Sequence, residues 1–234
     1  MNFYTLIFLR HAESVGNAEG YYQGQEDFPL TKRGVSQVKR LIARWQADGS
    51  RIDRVITSPL RRAKDTAEMI CQFFNCSLEE DLDWRERDMG LLTGLKRENA
   101  QDVYPKPDFF TPFDHMGETG EGNWELYLRA GKAIHKILQR PPGRYLIVSH
   151  GGILNQALHV IFGMTPQASG QGVHFRFVNT AFATVHYQPA KYKWVVWGLN
   201  DFTHLAVRDF DLDEEEAVSY THLRAHETVL DLVC

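Results

Sequence analysis

Arg10 and His11 stand side by side immediately after the apolar run of residues 6–9, and His150 stands in the same position behind residues 145–149. Arg62 and Glu86 fall shortly after two further short β-like segments, 54–57 and 77–82. Together these residues hold what metal-free phosphoryl transfer requires: a nucleophile, cations for the phosphoryl oxygens, and an acid for the departing oxygen. His11 can attack through one ring nitrogen, provided the ring is neutral and an acceptor on the other nitrogen fixes the tautomer. Arg10 and Arg62 can grip oxygens in forks, and a protonated His150 adds a further donor. Fixed positive charge beside His11 disfavours its imidazolium and keeps the lone pair available. Glu86 is placed to give a proton to the leaving oxygen and later to take one from water.

These groups need elements that bring them to one edge. Residues 5–10 read as a buried strand, and Thr31 caps a helix with Val35, Val38, Leu41, Ile42 and Trp45 at helical spacing, ended by Gly49. After the strand at 54–57, Ser58 and Pro59 read as N-cap and first residue of a helix whose inner face is Ala63, Ala67, Ile70 and Phe74. A short helix near 96–104, an irregular stretch at 105–122 and a helix at 124–138 follow, then the strand at 145–149 and a helix from Gly151 to about Phe162. Three β-rich segments, near 173–179, 182–187 and 194–199, complete the pattern. Alternating strands and helices predict an α/β fold: a three-layer sandwich with a mostly parallel sheet flanked by helices and an antiparallel addition near the end. In such sheets the carboxyl ends of the strands share an edge with helix N-termini, where anions bind.

The run Leu9, Arg10, His11, Ala12, Glu13, Ser14, with Asn17, resembles the opening signature of the histidine phosphatase superfamily, also called phosphoglycerate mutase-like. Three more matches follow in the family's order: Ser58-Pro59-Leu60-Arg61-Arg62-Ala63 with Thr66 and Ala67; Glu86-Arg87 with Gly90 and Gly94; and Val148-Ser149-His150-Gly151-Gly152. The resemblance spans about residues 3–205. It implies a phosphoglycerate mutase-like sandwich in which His11 is phosphorylated, Arg10, Arg62 and His150 bind the phosphoryl group, and Glu86 donates the proton. It selects Arg62 over Arg61 as the pocket arginine and gives Glu13 a structural ion pair. It places Asn17, Gln23, Gly24 and Gly151 on the substrate side.

Composition excludes several other classes. The net charge of -4 and the lack of a Lys or Arg run argue against a nucleic-acid or membrane partner. No apolar stretch approaches the roughly 20 residues of a membrane helix. Three cysteines without metal spacing point to a reducing cytoplasm, and neither a metal nor another cofactor is called for. From Ala206 onward two basic residues face eight acidic ones, which leaves residues 1–205 mildly basic and suited to a small anionic phosphomonoester. Residues 206–234 read as a separate acidic tail, either natural and disordered or, from the wording of 219–228, translated adapter read-through. The aromatic group Trp194, Trp197 and Phe202 reads as core, and His115 as a loop residue. Oligomeric state has no signal in the sequence.

Two enzyme classes and one binding class share these residues. A hydrolase passes the group from His11 to water, whereas a cofactor-dependent mutase passes it to a phosphoglycerate hydroxyl. The resemblance implies a long basic insertion before the second histidine in mutases. Here 64 positions separate Glu86 from His150, and the intervening loop carries Asp108, Asp114, Glu118 and Glu121. Hydrolysis is the expected outcome, with the mutase and a non-catalytic phosphate-binding module as the alternatives.

Overall fold

The computed structural model describes residues 3–105 and 107–205; the expected tail at 206–234 lies outside the described residues. Strands β1 (Tyr4–Arg10), β2 (Arg54–Thr57), β3 (Ser77–Glu80), β4 (Arg144–Ser149), β5 (Phe182–Gln188) and β6 (Lys193–Asp201) form one sheet in the order β3-β2-β4-β1-β5-β6. The first four in this order run parallel, while β5 is antiparallel to β1 and β6 to β5. The helices are α1 (Val15–Ala18), α2 (Lys32–Ala47), α3 (Arg61–Phe74), α4 (Arg97–Val103), α5 (Asn123–Leu138) and α6 (Gly151–Phe162).

Alternation along the central strands builds two cores. In β1, Leu6 and Phe8 pack with Leu126, Ala130 and Ile134 of α5 and Leu154 and Ala157 of α6. Ile7 and Leu9 point the other way, onto Val38 and Leu41 of α2 and Ala63, Ala67 and Ile70 of α3. In β4, Tyr145 and Ile147 join the first core and Leu146 and Val148 the second. A strand covered on both faces reads as an unbroken apolar run, which is why residues 6–9 show no polar alternation. Each such side chain, removed fully from water, contributes roughly 1.5–3 kcal/mol. The expected three-layer sandwich is therefore present.

Register aligns the carboxyl ends. Arg10 pairs with Ser149 and Thr57 with Val148, so His11, Ser58 and His150 leave three adjacent strands at one edge. Thr31 caps α2 as expected, accepting from the Gly34 amide. At α3 the expected cap fails: the N-cap is Leu60, without a side-chain bond, and helix begins at Arg61. The Ser58 hydroxyl is engaged instead by the Leu60 amide (3.2 Å) and His150 (2.8 Å), so the chain turns once more before the helix starts. Arg62 thereby enters the first turn.

Two further expectations are corrected. Residues 173–179 do not form a strand, because side chains hold that backbone: Asn155 accepts from the Phe175 amide, Asn200 from the Val178 amide, and Arg10 donates to the Phe177 carbonyl. Trp197 is not core but 69% exposed, its indole N–H donating to His186 Nδ1 at 2.8 Å on the edge strand β6.

Candidate active site

His11 is buried, and its Nδ1 lies 2.7 Å from the Ala12 carbonyl. A carbonyl can only accept, so Nδ1 carries the hydrogen and the lone pair sits on Nε2. Desolvation lowers the ring's pKa well below 6.5, with the Arg62 and Arg10 charges acting in the same direction and the Ala12 bond opposing them. The ring is neutral at ordinary pH. Its backbone is pinned on several sides: the His11 amide donates to Ser149 O at 2.8 Å, Asn179 donates to the His11 carbonyl, and the Thr66 hydroxyl accepts from the Ala12 amide.

The His150 ring centroid lies 5.0 Å from that of His11, and the residue is 0% exposed. The protonated His150 expected from the sequence is not what the free site holds. Burial lowers its pKa well below 6.5, and Arg62, His11, Arg10 and Arg129 add to that. Nε2 meets Ser58 Oγ, while Nδ1 is buried without a hydrogen-bond partner. A bound dianion reverses the sign of the local field and favours the imidazolium.

Arg62 is 1% exposed, whereas Arg61 is exposed and pairs with Asp65. Burial lowers the Arg62 pKa to about 10, which leaves the guanidinium charged at neutral pH. Its two terminal nitrogens donate to the Glu26 and Gly24 carbonyls, both at 2.8 Å, and its buried Nε has no hydrogen-bond partner. The expected two-armed grip on substrate is therefore partly spent on the 24–26 loop. Gly24 in turn contributes its carbonyl at φ +49, in the left-handed region that favours glycine.

Glu86 follows the one-turn helix Leu82–Trp84 rather than a strand. Its carboxylate accepts from the Gly152 and Ile153 amides at 3.1 and 3.2 Å, at the positive end of α6. Arg129 and Gln25 hold its backbone carbonyl, and Arg129 also binds the Asp83 and Arg85 carbonyls and Glu121. A Cβ at Gly152 would stand 2.5 Å from Glu86 Oε1, so Gly152 leaves room for the Glu86 carboxylate. Gly151 itself does not line the cavity.

Arg10, His11, Arg62 and Glu86 share the wall of a cavity of about 740 Å³, with His150 packed behind His11. Asn17, Gln23 and Gly24 also line it: Gln23 Oε1 accepts from the Ser14 hydroxyl at 2.7 Å, and Asn17 closes a capping box with Ser14. Glu13 pairs with Arg33 at 3.1 Å, the structural role expected of it. The sequence reading missed Ser58, hidden by its resemblance to a helix cap. It also missed Tyr22, Arg87, Met89 and Arg97 on the cavity wall, and a second wall formed by residues 163–174. Arg87 was within reach, since it adjoins Glu86, but the others converge only through loop packing. Among the described residues no group of three or more His, Cys, Asp or Glu is placed to hold a metal ion, and no helix is long and apolar enough to cross a membrane.

Residues 6–200 match the profile of the histidine phosphatase superfamily, branch 1. A relative from Cronobacter sakazakii, named "Probable phosphoglycerate mutase GpmB", is 34% identical over 213 residues, covering 86% of this chain and 94% of the relative. Among solved structures, Bacillus stearothermophilus YhfR superposes with a TM-score of 0.71 at 24% identity, covering 86% of this chain and 98% of its own. The mycobacterial glucosyl-3-phosphoglycerate phosphatase superposes at 0.68 with 20% identity, covering 84% and 98%. The two superpositions speak for the fold, and the profile match over most of the chain settles the family. This chain belongs to the histidine phosphatase superfamily.

Proposed function

We propose that the protein is a metal-independent phosphomonoesterase working through a phosphohistidine on His11, with the catalytic unit inside residues 1–205. The observation that carries this reading is the state of His11: a neutral, buried ring whose Nδ1–H is committed to the Ala12 carbonyl, leaving Nε2 as nucleophile beside Arg10 and Arg62. Nε2 attacks phosphorus, the P–O bond to the leaving group breaks, and Glu86 delivers a proton to the departing oxygen. Glu86 then accepts a proton from water as that water attacks phosphorus, the P–N bond breaks, and His11 returns to its neutral form. Arg10, the Arg62 Nε–H and His150 stabilise the equatorial oxygens, with the Ser58 hydroxyl fixing the His150 ring. Substrate reaches the pocket past Asn17, Gln23 and Gly24, and Gly151 opens the helix whose amides seat Glu86.

Brief mixing with a ³²P-labelled phosphomonoester, followed by denaturation, is expected to leave an acid-labile, alkali-stable label on the wild-type chain and none on His11→Ala. An acid-stable label, or a label that survives in His11→Ala, rejects the mechanism.

A second reading, phosphoglycerate mutase, is favoured by the name of the 34% identical relative. A mutase must keep water from the phosphohistidine while its intermediate turns over. The open cavity of about 740 Å³ and the acidic loop at 108–121 favour water as acceptor. Interconversion of 2- and 3-phosphoglycerate faster than release of inorganic phosphate would reverse this order.

A further inference from the structure

We propose that the phosphomonoester carries a flat, largely apolar leaving group, such as an aryl or aryl-alkyl ring, seated in a second cavity that opens from the phosphoryl pocket. This deepens the phosphatase reading and rests on it. The second cavity measures about 490 Å³. Tyr22, Arg87, Met89, Arg97, Met116 and Asn123 wall both cavities, so the two share a boundary, and His11 lines only the first. A compact three-carbon leaving group would leave the second chamber to water, whereas small-molecule sites typically bury about 70–90% of their ligand.

The chemistry of the wall points to the kind of group. Beyond the shared boundary stand Leu92, Tyr104, Phe109 and Phe110, and the boundary itself offers two thioethers, Met89 and Met116, which adapt to ring edges. The Arg97 guanidinium lies over the Tyr22 ring at 5.6 Å, a flat face suited to stacking. Charge argues against a second anionic group at the far end. Arg87 donates to Asn123, and beyond the boundary the chamber is lined by Asp114 and His115 but by no Lys or Arg. Phe109 is 67% exposed at the rim, an apolar surface that a bound ring would cover.

The wall is also held in place. A Cβ at Gly90 would stand 2.5 Å from the Gly117 carbonyl and the Gly120 amide, so the chamber's loop is pressed onto the turn that follows Glu86. The ring site and the acid therefore sit on one packed unit.

The test compares substrates matched in leaving-group chemistry, using the full chain. Both 2-phenylethyl phosphate and 3-phosphoglycerate release alkyl alkoxides, and both 2-naphthyl and phenyl phosphate release aryl oxides. The member with the larger apolar group, 2-phenylethyl over 3-phosphoglycerate and 2-naphthyl over phenyl, is expected to win by at least about tenfold in kcat/KM, as its extra buried apolar surface allows. The double variant Tyr104→Ser/Phe109→Ser, checked for an unchanged melting midpoint, is expected to collapse the 2-phenylethyl preference at least about fivefold. Turnover without preference in the wild-type chain overturns the inference alone, and so does a preference that the folded double variant keeps. Absence of turnover on all four substrates together with absence of a His11-linked label overturns the phosphatase reading and this one with it.

Discussion

At the carboxyl edge of the sheet, His11, Ser58 and His150 each follow the last residue of a parallel strand, and strand register alone brings them together. The chamber wall at 107–122 is built differently, from irregular backbone held by glycine contacts, by the His115–Gly120 hydrogen bond and by Arg129 reaching Glu121. The first region is buried on both sides by two cores, so a displacement there would disturb many packed side chains. The second is partly exposed and pays for its shape locally. One fold can thus keep its chemistry fixed while its substrate changes with the loops.

Glu86 lies where the two regions meet, so it gives the strongest test of the division. Replacing it with Gln is expected to slow alkyl phosphates by about 10²–10⁴-fold, the range for loss of a general acid. Aryl phosphates, which leave without a proton, should slow by roughly tenfold or less. Steady-state kcat across leaving groups of graded acidity reads this, and equal slowing throughout removes Glu86 from the acid's role. Ser58 belongs wholly to the sheet edge. Ser58→Ala removes the partner of His150 Nε2 at 2.8 Å and is expected to lower kcat/KM by roughly tenfold, about the worth of one hydrogen bond in the transition state. Because its hydrogen bonds run to Val148, Leu60 and His150 and to none of the chamber wall, it should slow every substrate alike, and a change in substrate preference would show that the two regions are not independent.

The smallest expected effect is on stability. Burial, aided by Arg62 and Arg10, depresses the pKa of both His11 and His150 in the folded chain. The unfolded chain takes up these protons near 6.5, the folded chain only well below that, so between these values the unfolded state holds more protons. Their contribution to stability is complete above about 6.5 and is lost as the pH falls toward the depressed values. The thermal midpoint of the wild type should therefore drop between pH 7 and pH 5 more steeply than that of His11→Asn/His150→Asn. Parallel midpoint curves would mean that neither ring is held neutral by the fold.

Most of the framework was legible because it depends on local rules. Apolar runs marked β1 and β4, helical spacing marked α2 and α5, and Thr31 announced its own cap. The reading erred where a residue had two possible uses. Ser58 before a proline looks like a helix cap, yet its hydroxyl is drawn to an imidazole 92 positions away. Residues 173–179 have strand composition, but Asn155, Asn200 and Arg10 claim their backbone groups. Trp197 looks apolar enough for a core, but β6 lies at the sheet's edge.

Residue identity by itself therefore named the candidate reacting groups: an imidazole, two guanidiniums, a carboxyl and a second imidazole, each near the end of a short element. Tertiary structure decided their states. The Nδ1 tautomer of His11 comes from the Ala12 carbonyl, the neutrality of both histidines from burial beside fixed cations, and the seat of Glu86 from amides of a helix that begins 65 residues later. Proton position and charge depend on the surrounding dielectric and on partners distant in the chain, and no local pattern encodes either.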